Sequence, residues 1–147
     1  MLKGIPTILS PELLKRLCEM GHGDTLVLAD GNFPAEALGK NGIVVRADGH
    51  GTLELLRAIL DLFPLDTYVP QPVALMEVSE GDKTEVPIWS CYEEIIAKAD
   101  SGKENRIKKL RRQDFYNEAS KAYLIIATGE MAIYANIILR KGIIVGD

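Results

Sequence analysis

The chain has 147 residues, 47% of them apolar and 26% charged, and a net charge of −4. That size suits one domain, residues 1–147, with its own core, and the acidic balance gives no electrostatic reason to expect nucleic acid. No apolar run approaches the roughly 20 residues of a membrane helix, and the opening Met-Leu-Lys-Gly-Ile-Pro lacks the long apolar stretch of a secretory signal. The two cysteines, Cys18 and Cys91, fall within helix-like patterns and are expected to be reduced, as in a cytoplasmic protein.

Ser10-Pro11 predicts a helix start, with Ser as cap and Pro at the first helical position. Leu13, Leu14 and Leu17 follow at helical spacing, so residues 11–20 are expected to form a short amphipathic helix stopped at Gly21. Thr25–Ala29 is an apolar run of buried-strand length. Residues 30–41 suggest a loop with one helical turn at Ala35–Leu38, and Ile43-Val44-Val45 a second strand. Gly49-His50-Gly51-Thr52 opens a helix whose buried face is Leu53, Leu56, Ile59, Leu60 and Phe63, ended by Pro64. Val73–Val78 is a third strand, Glu80-Gly81-Asp82 a turn, and Pro87–Ala99 a helix with Ile88, Cys91, Tyr92, Ile95 and Ile96 on one side. Arg106–Leu110 is a fourth strand, Asp114 the cap of a short helix through Lys121, Tyr123–Ala127 a fifth strand and Asn136–Leu139 a sixth. Helices alternating with short apolar strands imply an α/β fold. Its central sheet of about six strands is mostly parallel and covered by helices on both faces, in three layers.

His22 stands between Gly21 and Gly23, directly before the first strand, and Asp30 stands directly after it. Small neighbours leave an imidazole uncrowded, and an imidazole exchanges protons near neutral pH. The alternative is a loop histidine bonded to the backbone. His50 has a similar Gly-His-Gly context and reads as a solvated loop residue. The histidines and cysteines do not match a zinc spacing, so no metal is expected. No Gly-x-Gly-x-x-Gly, Gly-Lys-Ser/Thr or Gly-x-Ser-x-Gly pattern is present, which leaves nucleotide binding and serine nucleophile chemistry without support. Arg111 and Arg112 are either a solvated strand end or a fork of donors for hydroxyl and carboxylate oxygens. Tyr134 and Asn136, two apart, share one side if extended, and a phenol beside a carboxamide suits a neutral polyhydroxyl ligand. Asp66 and Tyr116 are weak signals taken singly.

Together these residues resemble the ribose pyranase and fucose mutarotase family. The resemblance runs through Ser10-Pro11-Glu12-Leu13-Leu14, Met20-Gly21-His22-Gly23-Asp24, Ala29-Asp30 to Phe33-Pro34, Arg46-Ala47-Asp48-Gly49, Leu65-Asp66-Thr67-Tyr68, Phe115-Tyr116, Thr128-Gly129-Glu130 and Tyr134-x-Asn136. The Arg112-x-x-Phe115-Tyr116 and Thr-Gly-Glu…Tyr-x-Asn pieces are closer to the fucose branch. The resemblance implies the family's fold and an isomerase that interconverts sugar anomers without a cofactor, L-fucose being the expected substrate and ribose ring forms the alternative. A non-catalytic sugar-binding accessory of uptake, or a ring-forming structural protein, would be the readings outside enzymology. The resemblance makes His22 the proton donor; the chemistry itself asks for a second group at the other oxygen, Tyr116, Tyr134 or a water held by Asp30. The resemblance makes Asp30, Asp66, Arg112, Tyr134, Ala135 and Asn136 sugar-binding residues. Ala135 replaces the family's glycine in Tyr-Gly-Asn, which is tolerable only at an ordinary backbone angle, and Asn32 replaces a histidine of some relatives.

His22 and Asp30 are eight positions apart. One straight strand at about 3.3 Å per residue separates them by roughly 25 Å, beyond the reach of one monosaccharide. Either the strand is interrupted, or the working site joins His22 of one subunit to Asp30 of another in a homo-oligomer; the second is expected here. The resemblance implies a decamer of two five-membered rings, as in bacterial relatives, animal relatives forming smaller assemblies.

Overall fold

Alternation along the strands decides the architecture. In β1 (Thr25–Ala29), Leu26 and Leu28 face one side of the sheet and Val27 and Ala29 the other, and all four are fully buried. A strand buried on both faces needs helices on both faces. The computed structural model, which describes residues 1–146, has them. On one side lie α1 (Pro11–Glu19), α3 (Thr52–Leu60) and α4 (Ile88–Ala99), packed through Leu13, Leu17, Leu55, Leu56, Tyr92 and Ile96. On the other lie α2 (Ala35–Leu38), continued by a 3-10 turn at Gly39–Asn41, and α5 (Arg112–Ser120), packed through Ala35, Phe115 and Ala119.

The remaining strands are β2 (Ile43–Ala47), β3 (Val73–Met76), β4 (Ile107–Leu110), β5 (Leu124–Thr128) and β6 (Ile137–Arg140). Their order across the sheet is β2-β5-β1-β6-β3-β4. Only β6 runs antiparallel to its neighbours. The five parallel strands thus end at one edge of the sheet, and β6 starts there. This edge, where open α/β sheets place ligands, collects Asp30 after β1, Arg112 after β4 and Asn136 before β6.

The expected three-layer, mostly parallel α/β sheet is the observed one, with boundaries moved by one to three residues; α3 ends at Leu60, so Phe63 is buried beyond the helix and Pro64 does not end it. Ser10 caps α1, its hydroxyl accepting from the Leu13 amide at 3.2 Å. The helix ends at Glu19, because Met20 is already extended. Two sequence expectations are corrected. Asp114 does not cap α5: the chain enters the helix straight from β4, Arg111 takes the cap position, and Asp114 sits in the first turn, where its charge favours the helix N-terminus. The buried face of α3 also includes Thr52, Leu55 and Ala58, while Leu53 and Leu60 are only partly buried, because the helix packs against its neighbour α4 as well as against the sheet. Both cysteines are free, Cys18 exposed and Cys91 partly buried. Among the described residues no helix is long and apolar enough to cross a membrane.

Candidate functional site

At the carboxyl edge of the parallel strands lies a cleft of about 310 Å³ lined by Asp30, Phe33, Arg112, Tyr116, Tyr134 and Asn136, among others. Its volume is at the small end of ligand sites. Asp30 leaves β1 and is pinned at once. Its amide donates to Asn136 Oδ1 at 2.8 Å, Asn136 Nδ2 donates to Asp30 Oδ2 at 2.8 Å, and the Asn32 amide donates to Asp30 Oδ1 at 3.0 Å. Burial pushes the Asp30 carboxyl above the usual range, and the amides of Asn32 and Asn136 offset this only in part. The opposite wall is α5. Arg112 Nε donates to the Tyr116 hydroxyl at 3.2 Å, and the Tyr116 ring meets the edge of Phe33 at 5.6 Å. This wall is exposed and offers a guanidinium and a phenol to hydroxyl groups.

Tyr134 reaches the cleft differently from a strand residue. It lies in a turn at φ +55°, a left-handed conformation rare for an aromatic side chain. Its hydroxyl donates to Asp82 Oδ2 at 3.0 Å, with Ser79 Oγ at 3.3 Å. Ala135, the departure from the family glycine, does not have a positive φ. It is fully buried, its methyl in the core and its carbonyl accepting from the Tyr92 hydroxyl at 2.7 Å. Ala135 therefore does not line the cleft; it sets the spacing between two residues that do.

His22 lies at the other end of β1. Gly23, at φ +85°, turns the chain after it and donates to the Lys141 carbonyl at 2.8 Å. His22 Nε2 is 3.1 Å from Asp66 Oδ1, which also accepts from the Tyr68 amide at 2.9 Å. Asp66 Oδ2 accepts from Arg140 Nε at 2.9 Å. Asp66 is 1% exposed. Burial alone would raise its carboxyl, but the Tyr68 amide, His22 and Arg140 outweigh it and hold the group below the usual range. The ionised carboxylate only accepts, so Nε2 of His22 carries hydrogen and Nδ1 of the neutral ring keeps its lone pair. The imidazole is 43% exposed and tilts against the Tyr68 ring at 5.2 Å.

Within one chain the sequence candidates therefore fall into two groups. Asp30, Arg112, Tyr116, Tyr134 and Asn136 line one cleft, while His22 and Asp66 sit together at the opposite end of β1. The strand between them spans about 13 Å by itself. His50 lies beside Glu54 at 3.0 Å on the N-terminus of α3, half exposed, and Arg111 is exposed. Among the described residues no cluster of histidine, cysteine and carboxylate side chains could hold a metal. Sequence reasoning missed Arg140, Asp82 and Ser79. None lies in a recognisable motif, and each joins the site only through the β6 register or the loop after β3.

Comparison with known proteins is consistent across sequence and structure. The model of the RbsD / FucU transport protein family matches residues 3–144. A Mus musculus protein named fucose mutarotase is 52% identical over 145 residues, covering 96% of this chain and 94% of its own. The structure of FucU from Bifidobacterium longum superposes with a TM-score of 0.95 at 58% identity, over 97% of this chain and 100% of that one. The structure of the fucose mutarotase in complex with L-fucose from Streptococcus pneumoniae superposes with a TM-score of 0.92 at 48% identity, over 98% of this chain and 100% of that one.

Proposed function

The chain belongs to the RbsD / FucU transport protein family, and we infer that it is an L-fucose mutarotase, an isomerase that interconverts the α and β anomers of the free sugar. The observation that carries the reading is the cleft at the carboxyl edge, whose phenols, carboxamide, guanidinium and single buried carboxyl suit the hydroxyls of an uncharged sugar ring.

Mutarotation moves protons only. A base takes the proton of the anomeric hydroxyl while an acid protonates the ring oxygen. The bond from the anomeric carbon to the ring oxygen breaks, leaving an aldehyde. The carbonyl rotates, and the reverse steps close the ring on its other face. Positioned acids and bases suffice for this. In our reading His22 Nδ1 takes and returns one proton, with Asp66 as counter-charge to the imidazolium. Tyr116 or Tyr134 serves the other oxygen. Asp30, Arg112 and Asn136 hold the ring hydroxyls, and Ala135 keeps Tyr134 and Asn136 in step.

These groups act together only if a second copy brings its His22 to the cleft. Surface chemistry supports that arrangement. Beside His22 runs an open apolar groove of about 510 Å³ walled by Leu14, Leu17, Phe63, Pro64, Ile143 and Ile144. At the cleft, Ile133 is 50% exposed, and its neighbour Met131 is 88% exposed. Apolar surface left open on both halves of one site is what copies of this chain would cover on assembly. We read the assembly as a homo-oligomer, a decamer of two rings, working in the reducing cytoplasm that two free cysteines suit.

Saturation-transfer NMR with L-fucose tests the activity: the chain should speed exchange between anomers and leave D-ribose ring forms unaffected. A subunit-mixing experiment tests the shared site. His22→Ala and Asp30→Ala variants, each slow alone, should regain about a quarter of the activity when dissociated and reassembled together. A mixture as inactive as its parts, or a fully active monomer in light scattering, would overturn the shared site.

A further inference from the structure

The cleft is held from behind by a helix that does not line it. Tyr134 sits at φ +55°. Such a conformation is costly for a non-glycine residue and persists only where the surroundings fix it. The surroundings here are two side chains of α4, one turn apart. Trp89 Nε1 donates to the Tyr134 carbonyl at 2.9 Å, and the Tyr92 hydroxyl donates to the Ala135 carbonyl at 2.7 Å. Two successive carbonyls are thus both turned toward α4, which a regular strand, whose carbonyls alternate, does not allow.

Each donor is itself fixed. The Tyr92 ring is fully buried, and its hydroxyl oxygen accepts from Thr52 Oγ1 at the start of α3. The Thr52 amide in turn donates to Glu130 Oε2 at 3.1 Å, and Glu130 Oε1 accepts from the Ala132 amide at 3.0 Å. The network closes on the same loop, residues 130–135, that it supports. The Trp89 ring is covered by Lys109 Nζ, 4.1 Å from its centroid. Neither Trp89 nor Tyr92 lines the cleft. At the far end of the Tyr134 side chain, Asp82 and Ser79 hold the hydroxyl, so backbone and ring tip are fixed independently.

We propose that Trp89 and Tyr92 are positioning residues for sugar binding: they hold the Tyr134–Asn136 segment in its left-handed turn, which aims the Tyr134 ring into the cleft and sets Asn136 against Asp30. This rests on the cleft being the sugar site. It assigns to α4 a share of affinity that no direct contact would reveal. Trp89 is the single tryptophan of the chain, so its indole N–H reports the state of the turn without a label.

The test uses Trp89→Phe and Tyr92→Phe in the full chain, each removing one donor while keeping an aromatic ring. Ile96→Val, a core truncation on the same helix (2% exposed), controls for plain destabilisation. Two readouts are taken. First, L-fucose anomer exchange as a function of sugar concentration: each aromatic variant should raise KM about fivefold to tenfold, the effect of one lost hydrogen bond. The saturated rate should stay within about twofold, because chemistry at His22 is untouched. Ile96→Val should lower the melting temperature without moving KM. Second, and independent of any sugar, the intraresidue amide-to-Hα cross-peak of Tyr134, strong for a positive φ, should weaken in both variants and persist in Ile96→Val. In the wild type the indole N–H resonance should shift on fucose addition along the same saturation curve as the rate.

A wild type without fucose exchange would remove the functional reading, yet the Tyr134 cross-peak would still decide the clamp. A cross-peak unchanged in both aromatic variants overturns the proposal, and so does KM unchanged in both. If Tyr92→Phe does not fold, Trp89→Phe alone carries the decision.

Discussion

Replacing Asp66 by Asn probes the carboxylate behind His22 with almost no change of shape. The wild-type side chain accepts three hydrogen bonds, from the Tyr68 amide, His22 Nε2 and Arg140 Nε. Asparagine keeps an oxygen for Tyr68 and His22 but turns an N–H toward Arg140, so one charged bond becomes a donor–donor contact. A hydrogen bond to a charged partner contributes about 1.5–3 kcal/mol. The Arg140 side chain is 44% exposed, so solvent screening places the loss near the lower end, about 1.5 kcal/mol. The pH dependence follows from the direction of the Asp66 shift. Its folded-state pKa is depressed. Its stabilisation is therefore fully present above the ordinary carboxyl value of about 3.9 and is lost as pH falls from there through the folded value. Urea denaturation at fixed protein concentration should show wild type ahead of Asp66→Asn by about 1.5 kcal/mol at pH 7, and the gap should shrink at pH 3. The imidazolium also loses its counter-charge, so anomer exchange should slow by about 10–100-fold, part of what a positioned acid–base group gives. A gap below about 0.5 kcal/mol at pH 7, or one identical at both pH values, would refute the account of this carboxylate.

His22→Ala should slow exchange by about 10²–10⁴-fold; a rate within threefold of wild type would remove it from the chemistry. Asp30 carries the opposite shift from Asp66: its folded pKa is raised by burial. Relative to Asp30→Asn, wild type should therefore gain stability as pH falls from that raised value toward the ordinary one, measured by parallel urea titrations. Arg106→Met should destabilise by about 3 kcal/mol, since it leaves the buried Asp100 carboxylate with only the half-exposed Lys103 ammonium and frees the carbonyls of Asp66, Val69 and Pro70; the double variant Arg106→Met/Asp100→Leu should recover part of that in thermal melts.

The layers and most strands were legible because burial leaves a periodic trace. Leu26, Val27, Leu28 and Ala29 are all apolar, and only a strand covered on both faces asks for that. His22 and Asp30 were legible as a pair because their separation follows from chain geometry. The position of Asp114 was misread because a good capping residue is not a cap unless the chain also turns there, and β4 runs into α5 without a loop. Arg140 was invisible because it ends a strand that looks like any other. Only its register opposite Thr25 brings it beside the His22 turn. The Arg106–Asp100 pair was invisible for a related reason: a buried ion pair across the one connection between α4 and β4 has no period.

The Tyr134–Asn136 segment shows how a correct expectation can rest on the wrong geometry. Two residues spaced by two do share the cleft, but not because the chain is extended. The turn at Ile133–Tyr134 comes first, and β6 begins only at Ile137. A regular strand would send the Tyr134 and Ala135 carbonyls to opposite sides; here α4 captures both. The left-handed residue is the tyrosine, and the alanine beside it has an ordinary angle, which is why a methyl group is accommodated at 135, where the resemblance led to an expected glycine. Had the strain fallen on residue 135, alanine there would have cost about 1 kcal/mol or more. Ala135→Gly should therefore bring no stabilisation, and should cost about 1–2 kcal/mol through added freedom of the unfolded chain and the lost buried methyl. A clear gain in melting temperature for Ala135→Gly would mean that the strained angle lies at 135 and that the clamp on Tyr134 has been misread.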